Sequence, residues 1–264
     1  MMWWSMLNGT IVNAATVVVG CAVGLGVGGR LAERYRRIVL DGLGLITITL
    51  GIDASVLILG RLVGTYAPQV DAGRTFGARL GMVTIGSLLV GSLVGTRLRL
   101  HERLEALGEQ IHRRVGGRGE AGQFAQGFLV ASVIFCVGPL TLLGCLNNGT
   151  RFDPSLLYVK AVLDGFCSLA LAASMGAGVA GSILTILVFQ GGLTIAFHYG
   201  ADGLPELSRE MMNVVGGVVL LANALLLLEI KRIPVANMLP AIFLPPAVIF
   251  LVEWIRPGLF LPPG

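Results

Sequence analysis

Apolar residues run along this chain in blocks of about twenty, separated by short polar stretches, with neither the alternation of a strand nor the polar stripe of a surface helix. A helix rises about 1.5 Å per residue, so a block of that length crosses a hydrocarbon core of about 30 Å. Eight segments qualify: 7–27, 39–60, 77–96, 124–145, 157–176, 181–199, 211–229 and 235–254. The pattern predicts an all-α, polytopic transmembrane helical bundle of seven to eight spans, in one domain over residues 1–264. Gly138-Pro139 in the fourth span, and Pro240 with Pro245-Pro246 in the eighth, predict kinks or breaks, because proline removes a backbone donor and clashes with the preceding turn. Between the fifth and sixth spans, 176–181 is short and uncharged, and reads either as a turn between two full spans or as part of a re-entrant hairpin.

Composition agrees. Hydrophobic residues make up 55% and charged residues 13% of the 264, about half the charge a soluble domain carries. There are 38 glycines, in keeping with the enrichment of glycine in membrane helices. Trp3-Trp4 reads as an interfacial anchor. Cys21, Cys136, Cys145 and Cys167 lie within apolar runs without paired spacing, as small hydrophobes rather than metal ligands or disulfides.

Charge then orients the spans. The first loop holds Arg30, Arg34, Arg36 and Arg37, the third Arg97, Arg99, Arg103, Arg113, Arg114 and Arg118, and the seventh Lys231 and Arg232; the sixth is acidic. Basic residues are retained on the cytoplasmic side. All three basic loops are odd-numbered, so alternating crossings predict both termini on the non-cytoplasmic side of a prokaryotic plasma (inner) membrane. In the third loop, Leu100, Leu104, Leu107 and Ile111 recur at helical spacing, predicting an amphipathic segment over 98–121. Its Arg-rich stretch 97–118 suits anionic lipid headgroups, or serves orientation alone.

Small residues recur every four positions at Gly20, Gly24 and Gly28 and at Ser87, Gly91 and Gly95. Such stripes let helix backbones approach closely, within one chain or across a homo-oligomer interface. The tetrapeptide Val-Leu-Asp-Gly occurs at 39–42 and 162–165, in spans that would run antiparallel. This suggests an inverted repeat of 7–96 and 124–199 with an appended hairpin 211–254, an architecture transporters use.

A charged group at mid-bilayer costs about 2.5–3.5 kcal/mol on insertion scales and calls for a reason. Asp53 lies within the second span and Asp164 within the fifth, with Lys160 four residues before it on the same helix face. Asn13, Gln190 and Asn237 add buried amides. The candidate polar site is therefore Lys160, Asp164, Gln190, Asn237, Asn13 and Asp53, as a transport site for an ion or small solute or as structural links between helices. Gly-rich stretches at 24–29 and 176–181 match a dinucleotide fingerprint in spacing only, since no strand precedes them. No catalytic triad, metal cluster or cofactor motif is present. Neither an enzyme nor a nucleic-acid partner is expected.

Several stretches in order carry a further likeness: Gly9-Thr-Ile-Val-Asn13, Ala131 to Gly138, Leu143-Gly144, Lys160-Ala-Val-Leu-Asp164-Gly165, Ala173 to Val179, Phe189-Gln190-Gly191, Asn213 to Gly217 and Asn237-Met-Leu-Pro240-Ala241. The chain resembles an uncharacterised bacterial membrane family typified by YdfK and YqgA. Gly138-Pro139 and Phe189 depart from its pattern. The resemblance implies a prokaryotic plasma-membrane protein, brings no established activity, and shifts weight towards Lys160, Asp164, Gln190 and Asn237. A hydrated cavity at Asp164 and Gln190 would favour transport, and a dry, closed environment the structural alternative: a scaffold or lipid-binding assembly protein.

Overall fold

The computed structural model describes residues 2–28, 33–70, 73–103, 121–136, 139–200 and 204–261, with positions 106 and 110. The described residues are helical with no strand. The helices are α1 (Met2–Gly28), α2 (Glu33–Ile52), α3 (Ile58–Tyr66), α4 (Phe76–Arg97), α5 (Ala121–Cys136), α6 (Pro139–Arg151), α7 (Ser155–Met175), α8 (Gly178–Thr185), α9 (Gly191–Gly200), α10 (Glu206–Leu227) and α11 (Leu244–Ile255). Two π-helical turns, Asp53–Leu57 and Ile186–Gln190, join α2 to α3 and α8 to α9 as continuous rods. A 3-10 helix, Val235–Phe243, leads into α11.

Seven of these rods are long and apolar enough to cross a membrane: Trp4–Val27, Gly44–Gln69, Phe76–Arg97, Ser155–Met175, Gly178–Gly200, Glu206–Leu227 and Val235–Ile255. The predicted fourth span is described as two helical stretches, α5 and α6, on either side of residues 137–138, which lie outside the described residues; Pro139 is the first described residue of α6. Pro240 sits inside the 3-10 helix and a proline stands at the first turn of α11, so the eighth span is irregular where its prolines predict.

The close approaches give each pair a direction. Gly9 faces Leu157, Gly20 faces Gly165 and Gly24 faces Leu169, so α1 and α7 run parallel. Three crossings must lie between them, and α5 with α6 supplies the third. Gly44 faces Leu228 and Gly51 faces Leu221, an antiparallel pairing of α2 with α10; Gly91 faces Ala241 and Gly95 faces Asn237, which sets α4 antiparallel to the last span. Every pairing fits eight alternating crossings. Between the fifth and sixth, Gly176 turns the chain at φ 81° and ψ −161°, backbone open essentially to glycine alone. Full spans flank it, so 176–181 is a turn between two crossings. Helix α10 is the most buried rod and anchors the core, with Val215, Val219 and Leu220 packed against Val235 and Ile242 on one side and Met211 and Val214 against Phe76 and Leu80 on another.

Five of the six residues of the predicted small-residue stripes pack within the chain. Gly20 and Gly24 seat α7, Gly91 and Gly95 seat the 3-10 helix, Ser87 is buried beside them, and Gly28 ends α1. The amphipathic segment 98–121 lies for the most part outside the described residues, as do three of the six arginines of 97–118.

Candidate functional site

Three rods deliver one polar cluster. On α7, Lys160 and Asp164 are one turn apart, and the Lys160 Nζ donates to Asp164 Oδ2 at 2.5 Å. Opposite them on α1, the Asn13 amide Nδ2 donates to Asp164 Oδ2 and to Gln190 Oε1, both at 2.9 Å. Both acceptors demand hydrogens, which fixes the orientation of the Asn13 amide. Gln190 ends the second π-turn, and its Nε2 donates to Thr10 Oγ1 at 3.2 Å. The result is one chain of hydrogen bonds, Lys160 to Asp164 to Asn13 to Gln190 to Thr10. All five residues are buried, none more than 6% exposed.

Close backbone packing sets this geometry. Thr16 Oγ1 donates to the Ala161 carbonyl at 2.9 Å, tying α1 to α7 about one turn from Asn13. The π-turn holds one more residue per turn than an α-helix and so offsets the carbonyls around Gln190. The Gln190 carbonyl accepts from Thr194 Oγ1 at 2.8 Å and from the Cys145 thiol at 3.5 Å. Asp164 stands nine residues after Ser155 and eleven before Met175, roughly 14 and 16 Å along the axis, near the middle of the rod.

Chemically the cluster is rich in hard oxygens: the Asp164 carboxylate, Gln190 Oε1, Thr10 Oγ1 and Asn13 Oδ1. The last is buried and has no hydrogen-bond partner among the described residues. One carboxylate with neutral oxygens suits a proton or a small monovalent cation, and here the tethered Lys160 ammonium holds that place. Among the described residues no group of three or more His, Cys, Asp or Glu is arranged for a metal ion. The four cysteines are free and buried, as hydrophobes. A largely apolar groove of about 480 Å³ runs over the α1–α7 seam, past Val12, Thr16, Ala161 and Gly165, but no side chain of the cluster lines it.

Two other candidates lie elsewhere. Asn237 Oδ1 accepts from the His101 amide at 2.8 Å, fastening the chain after α4 to the last span. Asp53 opens the first π-turn and pairs with Arg61 at 3.8 Å, both side chains at least half exposed. Sequence reasoning did not select Thr10, although it lies three residues before Asn13, on the same helix face.

The matches to known proteins cover the same residues. The model of DUF554, a protein of unknown function, matches 8–250. The chain belongs to the DUF554 family. This DUF554 member is 25% identical over 245 residues to the uncharacterized membrane protein YdfK of Bacillus subtilis (strain 168), covering 93% of the chain and 96% of the relative. It is 30% identical over 242 residues to the uncharacterized protein YqgA of Escherichia coli (strain K12), covering 90% and 94%. No solved structure matches. The DUF554 match takes in all five residues of the cluster, from Thr10 to Gln190.

Proposed function

We propose that this protein is a transporter for a proton or small cation, held here in an occluded conformation with Lys160, Asp164, Asn13, Gln190 and Thr10 as its site. The observation that carries the reading is the Asn13 Oδ1, an acceptor without a hydrogen-bond partner among the described residues, beside a carboxylate near the middle of its rod. Purely structural links between helices are served as well by apolar packing: replacing a buried ion pair with hydrophobic side chains is often neutral or stabilising. A π-turn at the site adds support, since irregular helices recur at transporter sites. In this proposal the basic loops face the cytoplasm of a bacterial plasma membrane, both termini lie outside it, and the arginines of 97–118 meet anionic lipid. Helices α2 and α7 run in opposite directions, as the proposed inverted repeat needs. Lys160 acts as an internal competitor, leaving Asp164 when the transported cation arrives.

A second reading has its own support. The cluster is buried, and neither Asp164 nor Gln190 lines the cavities found among the described residues, which favours a structural role for the network. Proteoliposomes loaded with pH- and cation-sensitive dyes separate the two. Transport predicts cation-dependent flux in the wild type and none in the Lys160→Met, Asp164→Leu double variant, with folding unchanged. Equal flux in both would remove the cluster from the mechanism. An inert wild type across protons, sodium and potassium would leave the structural reading standing.

A further inference from the structure

The ends of three helices surround a small cleft on one side of the bundle. Gln126 stands near the start of α5, Met175 closes α7 and Leu227 closes α10, so the cleft lies where the spans meet the headgroup layer. Its volume is about 200 Å³, below the roughly 300–1,000 Å³ of a drug-sized pocket. Val130, Met175 and Leu227 give it an apolar wall, while Gln126, Glu229 and Arg232 supply an amide, a carboxylate and a guanidinium.

The two charges are opposite, three residues apart and both on the cleft, yet no ion pair joins them. Neither has a hydrogen-bond partner among the described residues. The backbone fixes where Glu229 stands. Helix α10 ends in a Schellman motif, in which the Ile230 amide donates to the Leu225 carbonyl at 3.0 Å and the Glu229 amide to the Leu226 carbonyl at 3.1 Å. Glu229 takes the left-handed position of that motif, at φ 55°, where glycine is the ordinary occupant and a side chain is strained. The dipole at a helix C-terminus also opposes an acid. The helix end gains nothing from this carboxylate; the cleft does.

We infer that the cleft binds the headgroup of a phosphatidylethanolamine-type lipid, with its ammonium on Glu229 and its phosphate on Arg232. Phosphoethanolamine is a zwitterion whose two charges lie a few bonds apart, and the cleft offers one partner for each. A guanidinium takes phosphate through two parallel N–H bonds, and a primary ammonium has N–H donors for the carboxylate. The apolar wall, set at the edge of the bilayer, suits acyl chains. Choline lipids bring no N–H, and quaternary ammonium is held by aromatic rings, none of which line this cleft. Anionic lipids meet Glu229 as a like charge. The site is separate from the Lys160–Asp164 cluster and independent of the transport reading.

Native mass spectrometry of the full chain reads the preference, in detergent supplied with phosphatidylethanolamine, phosphatidylcholine or phosphatidylglycerol of matched chains. The wild type should retain phosphatidylethanolamine about tenfold better than either competitor, the equivalent of one hydrogen bond to a charged group. Glu229→Gly restores the ordinary residue of the cap, so the fold should hold while the preference over phosphatidylglycerol disappears. Arg232→Gln should retain phosphatidylethanolamine about tenfold less well. Lys231→Gln, beside the cleft but not on it, should match the wild type. Equal retention of the three lipids by the wild type, an unchanged preference in Glu229→Gly, or a loss in Lys231→Gln as large as in Arg232→Gln would overturn the site. Glycerophosphoethanolamine displacing the lipid at equal concentration would overturn the lipid as occupant, since the acyl chains would then contribute nothing.

Discussion

Gly20→Ala tests how tightly the cluster depends on backbone contact between α1 and α7. A Cβ there would fall inside 3.0 Å of both the Ser168 hydroxyl and the Gly165 carbonyl, whereas a Cβ at Gly26 of the same helix would meet nothing within 4 Å. The hydroxyl can rotate aside; a helical carbonyl cannot, so α1 must withdraw. Overpacking of this kind costs about 1–3 kcal/mol. Withdrawal also stretches the 2.9 Å bonds from Thr16 to Ala161 and from Asn13 to Asp164, each worth about 0.6 kcal/mol inside a membrane protein. Exchanging glycine for alanine in a helix gains about 1 kcal/mol at both positions. Gly20→Ala should therefore lose about 1–3 kcal/mol net, Gly26→Ala should gain about 1, and the two should differ by about 2–4 kcal/mol. Equilibrium unfolding in mixed micelles with rising SDS fraction, followed by tryptophan emission, reads the gap directly. Coincident midpoints for the two alanine variants would refute the claim that backbone contact at Gly20 sets the α1–α7 distance.

Three further outcomes are expected. Asn223 is fully buried in α10, and neither amide atom has a partner among the described residues, so Asn223→Leu should raise the unfolding midpoint by the equivalent of about 1–2 kcal/mol; a lowered midpoint would show that the amide is satisfied in the membrane. Asp164→Asn alone strands the Lys160 ammonium and should cost about 3–5 kcal/mol, while Lys160→Met with Asp164→Leu should be near neutral; equal losses in the two would mean that the pair contributes packing rather than charge. Asp153 accepts from the Ser155 hydroxyl and amide ahead of α7, which holds its carboxyl below the ordinary carboxylate value. That stabilisation is complete above the unfolded pKa and is lost as pH falls through the folded one, so the protection of the Ser155 amide relative to an unstructured amide at the same pH should fall over that acid interval and stay constant at neutral pH.

Span positions were legible in the sequence, because block length acts locally. The Lys160–Asp164 pair was legible for the same reason, being a contact within one turn of helix. What local spacing could not reveal was partnership between rods. Asp53 carried no visible partner, since eight residues on an α-helix place Arg61 about 80° out of line. The π-turn at 53–57 takes up roughly one extra residue and rotates Arg61 back into register. Nor could spacing separate Asn237 from the cluster: it lies in a family-like stretch as the cluster residues do, but its Oδ1 accepts from the His101 backbone amide. The convergence of Asn13 with Gln190 depends on which rods are adjacent, and residue patterns within single spans do not encode that.

The parallel seam between α1 and α7 also sets a timetable for assembly. Asn13 and Asp164 are 151 residues apart in the chain. At about 5–20 residues per second of synthesis, the first span waits roughly 8–30 s for the fifth. Through that interval three further crossings are threaded while the Asn13 amide has no native partner. Neighbouring glycines that later seat α7 are exposed for just as long, and they offer an equally close fit to any other small-residue helix in the membrane. The protein thus builds its most exacting contact last among its first five spans, and early quality control at the insertion site bears on α1 above all.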